Sequence, residues 1–221
     1  MRPLAALAAL AALAVGAIVG AASGARADRR EASVHVHALG GLLSLGDAAS
    51  TDAGSGAVGG LAARASFATA NSYQYDAQLT LGYGRASFDR GAFMLGGSTP
   101  VEAPFTVAAQ AARLDGGVTL RLGVQWIPTL RVAAGVQGVR RASPVVTFGG
   151  LEYSGEAETG QAASLALNLV GSATLGLDYR VNRRLIVGAA AAATASVPGV
   201  GEPWREAGVS VHAAYYWYPR W

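Results

Sequence analysis

Residues 73–87 read Tyr-Gln-Tyr-Asp-Ala-Gln-Leu-Thr-Leu-Gly-Tyr-Gly-Arg-Ala-Ser. Tyr73, Tyr75, Ala77, Leu79, Leu81 and Tyr83 share one parity, whereas Gln74, Asp76, Gln78, Thr80 and Gly82 share the other. Successive side chains of a strand point to opposite faces, so this stretch makes one greasy face and one polar face. A strand that crosses a bilayer needs about ten residues of such alternation, apolar outward and polar inward. This segment supplies them.

The pattern recurs along the chain. In Leu114 to Trp126, Leu114, Val118, Leu120, Leu122 and Val124 oppose Asp115, Thr119, Arg121 and Gln125. In Ala163 to Tyr179, Leu165, Leu167, Leu169, Leu175, Leu177 and Tyr179 oppose Ser164, Asn168, Ser172, Thr174 and Asp178. Weaker alternation marks Ala32 to Gly40, Ala57 to Ala70, Leu130 to Val139, Leu185 to Ser196 and Ala207 to Trp221. The expectation is an all-β, closed, antiparallel up-and-down barrel of about eight strands, because a lipid-exposed sheet must leave no unpaired edge. Connections should alternate too. Short turns are expected at Asn71-Ser72, Pro128-Thr129 and Val181-Asn182-Arg183, and long ones over Gly41 to Gly56, Asp89 to Gln110, Arg140 to Gln161 and Val197 to Glu206.

Composition bounds the rest. The N-terminal Arg2 precedes an uncharged Ala/Leu run to about Ala22, and Ala25-Arg26-Ala27 places small residues at a cleavage site. Residues 1–27 therefore read as a secretory signal peptide and residues 28–221 as one barrel domain. Without Arg2 and Arg26, the basic residues, all arginine, nearly balance the 14 acidic ones, so no nucleic-acid partner is expected. There is no cysteine, which excludes disulfides, thiolate chemistry and a lipidated Cys. After Ala27 no run of 18 apolar residues appears, which argues against helical spans.

Parity assigns the candidate residues. His35, His37, Arg64, Asp76, Asp115, Arg121, Arg131, Asp178 and His212 face inward, as a polar network filling a narrow lumen. Closure brings the strands of the three histidines together; three histidines can bind a metal, but we expect the filling role and no cofactor. Ser33-His35 and Ser210-His212 are two residues apart, nearly 7 Å along a strand, so no direct nucleophile–base bond is expected. Phe67, Tyr73, Tyr75, Trp126, Tyr179, Trp217 and Trp221 have lipid-facing parity near the ends joined by short turns, as an aromatic girdle. In the third long connection, Arg140 and Arg141 at one end face Glu152, Glu156 and Glu158 at the other; the preferred reading is solvated charges pairing locally, with lipopolysaccharide phosphates as the alternative partner of the arginines.

The final strand, Tyr215-Tyr216-Trp217-Tyr218-Pro219-Arg220-Trp221, and the topology from Ala32 onward resemble the small outer-membrane barrels of the OmpA/OmpX type. The sequence departs from that pattern in ending on Trp rather than Phe and in carrying Pro219. The resemblance implies that Tyr215, Trp217 and Trp221 form a signal for the barrel-assembly machinery. It also implies a monomer in the bacterial outer membrane, among membrane lipids and lipopolysaccharide, and an even strand number leaves both termini on the periplasmic side. The function expected is structural, or interactional through the external loops, without catalysis. The alternatives are a narrow conduit for small or hydrophobic solutes and a lipid A-modifying enzyme.

Overall fold

The computed structural model describes residues 31–47, 50–68, 72–96 and 99–218; the signal-peptide reading, Asn71, Pro219 and Trp221 lie outside them. In chain order the elements are β1 (Glu31–Leu45), β2 (Gly54–Ala68), β3 (Tyr73–Leu95), β4 (Thr99–Arg121) and β5 (Trp126–Arg141). There follow β6 (Val145–Phe148), β7 (Leu151–Ser154), a one-turn helix α1 (Glu156–Thr159), β8 (Ser164–Arg180), β9 (Leu185–Ser196) and β10 (Trp204–Trp217). Apart from β6 and β7, each strand pairs antiparallel with its two neighbours, and β1 closes on β10 from Ala32↔Trp217 to Leu45↔Trp204. The result is an eight-stranded barrel, and closure satisfies the backbone on both sides of every strand in the wall. At Gly41↔Gly208 the seam is so close that a Cβ on Gly41 would strike the Ala207 carbonyl and the Gly208 Cα.

Alternation dictates the two surfaces. Odd residues of β1, β4 and β5 and even residues of β2, β8, β9 and β10 face the lumen. In β3 the inward set is even from Gln74 to Phe88, then odd at Gly91, Phe93 and Leu95. The switch is a β-bulge: Phe88 pairs with Phe105 but Gly91 with Ala103, so β3 carries one extra residue.

This bulge corrects the sequence reading of Asp89 to Gln110 as a loop. The phase break and the charged Asp89-Arg90 interrupt the period of two, yet β3 and β4 continue as a long hairpin past the last β2 pairing. Arg140 to Gln161 is likewise structured: β6 pairs with β4 at Val146↔Phe105, β7 pairs with β6, and the Glu158 carbonyl accepts from Gly96 N–H. Together these pieces make a small flap at the end of the barrel opposite the short turns. The β4–β5 turn also differs from expectation. It spans residues 122–125, with Gly123 at φ 94, so Leu122 and Val124 lie in the turn while Pro128 and Thr129 belong to β5.

Candidate functional site

The lumen is layered. Nearest the turns, Ile127, Ile186, Ala214 and Tyr216 form a small buried apolar cluster. Tyr216 precedes the outward Trp217, so parity sends its ring inside, where the Arg121 guanidinium lies 5.0 Å above it. Arg121 in turn donates to Glu31 at 2.7 Å.

The middle layer is polar and its carboxylates are paired. Arg131 bridges Asp76 and Asp115, at 2.5 Å from each, and Thr119 donates to Asp76 at 2.9 Å. Arg113 extends the chain of charges, reaching Asp115 at 3.1 Å, Glu206 at 2.5 Å and Thr194 at 3.0 Å. Asp178 lies 3.0 Å from His212. Removing such charges from water is costly unless partners surround them, and here each carboxylate meets a cation or an imidazole.

His35, His37 and His212 do gather, with ring centroids 4.7 Å apart for His37 and His212 and 6.0 Å from His35 to each. Among the described residues no cluster of three His, Asp or Glu has metal-site geometry. Ser33 Oγ lies 2.9 Å from His35 Nε2, which corrects the expectation that residues two apart cannot meet. The strand's local twist and the imidazole's reach close the gap. This pair is nevertheless set against catalysis. Arg64 donates to His35 Nδ1 at 2.9 Å, so the ring hydrogen sits on Nε2 and is given to Ser33 or Ser66. An imidazole that donates to a serine cannot take its proton.

Toward the flap the lumen turns apolar. Leu43, Leu45, Val58, Phe88, Phe93, Phe105, Val107, Val139, Val146 and Trp204 form one buried cluster joining barrel and flap. Phe88 and Phe105 stack at 4.3 Å, and Phe93 meets Phe105 edge-on at 5.0 Å. Arg141 points inward at the rim, bonding the Gly46 carbonyl, Asp47 and Glu202. Between the polar and apolar layers lies a cavity of about 70 Å³ lined by His37, Arg64, Arg113, Arg131 and Glu206. Ligand pockets run from about 300 to 1,000 Å³, so this space is too small for a solute of drug size.

The outer wall is the reverse. Val36, Leu61, Leu130, Val132, Leu165, Leu175, Val209 and Val211 are exposed on β1, β2, β5, β8 and β10, with Leu81 and Tyr83 on β3 and Val187 on β9. At the turn end Tyr73, Tyr75, Trp126 and Tyr215 are exposed, while Phe67, Tyr179 and Trp217 are half-buried at outward positions. Trp126 packs against Tyr179 with centroids 4.8 Å apart. At the other end the outward positions become polar, at Arg85, Gln110, Arg140 and Arg205. A closed wall that is apolar outside, filled inside and rimmed by aromatics decides the architecture. The fold is that of a small outer-membrane β-barrel.

No family model matches the sequence, and no curated protein matches it. Solved structures similar to this barrel include the attachment invasion locus protein Ail of Yersinia pestis, bound to a heparin analogue. It is 10% identical with a TM-score of 0.44, over 86% of this chain and 100% of that one. OprG of Pseudomonas aeruginosa is 11% identical with a TM-score of 0.44, over 89% and 99%. Neisserial surface protein A is 12% identical with a TM-score of 0.38, over 85% and 96%.

All nine inward residues named from the sequence lie in the lumen of this barrel, together with Arg113, Glu206 and Glu31, which parity would have added. Arg113 stood one residue before the expected start of its strand, and Glu206 at the margin of an expected loop. The pairing of Arg140 with Arg141 is dissolved by parity, because one points out and the other in.

Proposed function

We propose that the protein is an integral outer-membrane barrel with a sealed lumen, acting through its surfaces: as a structural element of the membrane and, through the flap, as an interaction module outside it. The observation that carries this reading is the inverted polarity of the wall. Exposed Leu, Val and aromatic side chains encircle the molecule while Arg131, Asp76 and Asp115 are buried within it. A soluble barrel would carry the opposite arrangement. Export behind the Arg2 to Ala27 leader, insertion by the assembly machinery, a monomeric state and periplasmic termini complete the proposal.

The sealed lumen sets the mode of action. An eight-stranded wall leaves an interior just wide enough for side chains to fill. Here apolar residues close both ends of a charge-paired middle. The test is the mobility of the protein in SDS before and after boiling, followed by planar-bilayer recording. The expected result is a heat-dependent shift with no steady conductance. A band that does not shift would refute the membrane barrel; a steady, reproducible conductance would replace the sealed structure with the conduit.

A further inference from the structure

The lipid-facing wall carries a depression that nothing in the lumen accounts for. Two adjacent rungs of outward residues cross five strands there. One runs Gly59, Tyr83, Gln110, Arg140, Leu165, and the next, deeper toward the turn end, runs Leu61, Leu81, Ala112, Gly138, Leu167. Ala112 and Gly138 are the small residues at the centre, and the larger Leu81, Tyr83 and Leu165 stand on either side. The space between them is about 880 Å³, open to the outside. A Cβ added to Gly138 would meet no atom within 4 Å, so the floor is open space rather than tight packing.

The head of the groove is charged. Arg140 is exposed and makes no ion pair among the described residues, and its ladder neighbours Gln110 and Leu165 bear no charge. Arg141, one position on, pairs with the acids Asp47 and Glu202 inside the barrel. Below the floor the next rung holds Leu114 and Val136, so the surface becomes aliphatic in the direction of the bilayer middle. A cation and an amide donor at the rim, with a greasy channel leading inward, match an amphiphile with an anionic head and a hydrocarbon tail.

We propose that this groove seats an acyl chain of a phosphate-bearing membrane lipid, with Arg140 and Gln110 holding the phosphate. A planar guanidinium offers two parallel donors to phosphate oxygens, and Gln110 adds an amide hydrogen. Gly138 and Ala112 admit the chain because side chains there would fill its place. The inference rests on the membrane-barrel reading above.

Native mass spectrometry of the full-length protein in detergent tests it, with diphosphoryl lipid A, phosphatidylglycerol and uncharged dioleoylglycerol as the titrated probes. The expected result is retention of both phosphate lipids, with dioleoylglycerol weaker by about tenfold. Arg140→Ala should weaken the phosphate lipids by about tenfold and leave dioleoylglycerol unchanged, whereas Gly138→Phe, or Gly138→Leu as a smaller filler, should displace all three. Equal retention of charged and uncharged lipid, or retention unaltered by Arg140→Ala, overturns the phosphate contact. Phosphate-lipid binding that survives both Gly138 fillers overturns the acyl seat. The heat-dependent gel shift of each variant is read alongside: its absence in the wild type defeats the barrel reading rather than the groove.

Discussion

Toward the short turns the lumen holds Arg131 between Asp76 and Asp115, whereas farther along the same strands the inward positions pass to Phe88, Phe105 and Val139. The wall is continuous and the pleat is the same; only the filling changes. Charges pack a closed space by mutual neutralisation, which demands particular partners at particular distances and tolerates little rearrangement. The aromatic layer needs only volume and fit, and it also joins the flap to the barrel. The polar layer is therefore expected to govern global integrity, and the apolar layer the attachment of the flap.

The sharpest way to break this division is Arg131→Met. It leaves Asp76 buried without its cation and Asp115 with Arg113 alone, and a cost of about 4 kcal/mol is expected as a lower urea midpoint in the boiled-versus-unboiled gel assay. Phe105→Ala should cost about 3 kcal/mol, but locally. Hydrogen exchange should accelerate in β6, β7 and the outer part of β3 while β1 and β10 stay protected; equal acceleration in both layers would show that they are one cooperative unit. Conductance should stay absent in this variant, because the Arg131 layer still fills the lumen.

Two glycine substitutions sharpen the comparison at smaller cost. A Cβ on Gly188 would crowd Asp178 Oδ1 and come within 2.8 Å of the His212 ring, so Gly188→Ala should destabilise by about 2 kcal/mol through the polar layer. Gly138→Ala adds its methyl to open space on the outer wall, and its urea midpoint should stay within about 0.5 kcal/mol of the wild type. Comparable losses in the two would mean that crowding inside the polar layer has no special weight.

Much of this was legible in the residues. The alternation of Tyr73 to Ser87 marked a spanning strand, and carrying its parity around the chain put His35, Arg64, Asp76, Arg131 and Asp178 inside. What escaped was whatever breaks the phase. The extra residue between Phe88 and Gly91 inverts the inward set, so Phe93 and Leu95 looked like loop residues rather than the continuation of an inward face. The flap and the apolar half of the lumen went unread for that reason. Tyr216 was visible by parity, but it lies between Tyr215 and Trp217, whose outward positions drew the reading to the surface. The bond from Ser33 to His35 depends on twist and rotamer, which spacing along an ideal strand does not carry. The groove below Arg140 needed the register of five strands at once, since its floor is made of residues too small to draw notice singly.

The seam between β1 and β10 has a kinetic consequence. It joins Ala32 to Trp217 and Leu45 to Trp204, so the last hydrogen bonds of the wall link segments separated by most of the chain. Contacts of such long sequence separation form slowly, because loop-closure entropy must be met before they contribute. Once made, they leave no free strand end from which the wall can unzip. Lifetime, rather than equilibrium stability, then becomes the measure of the folded protein, and the seam sets the clock for both its assembly and its loss.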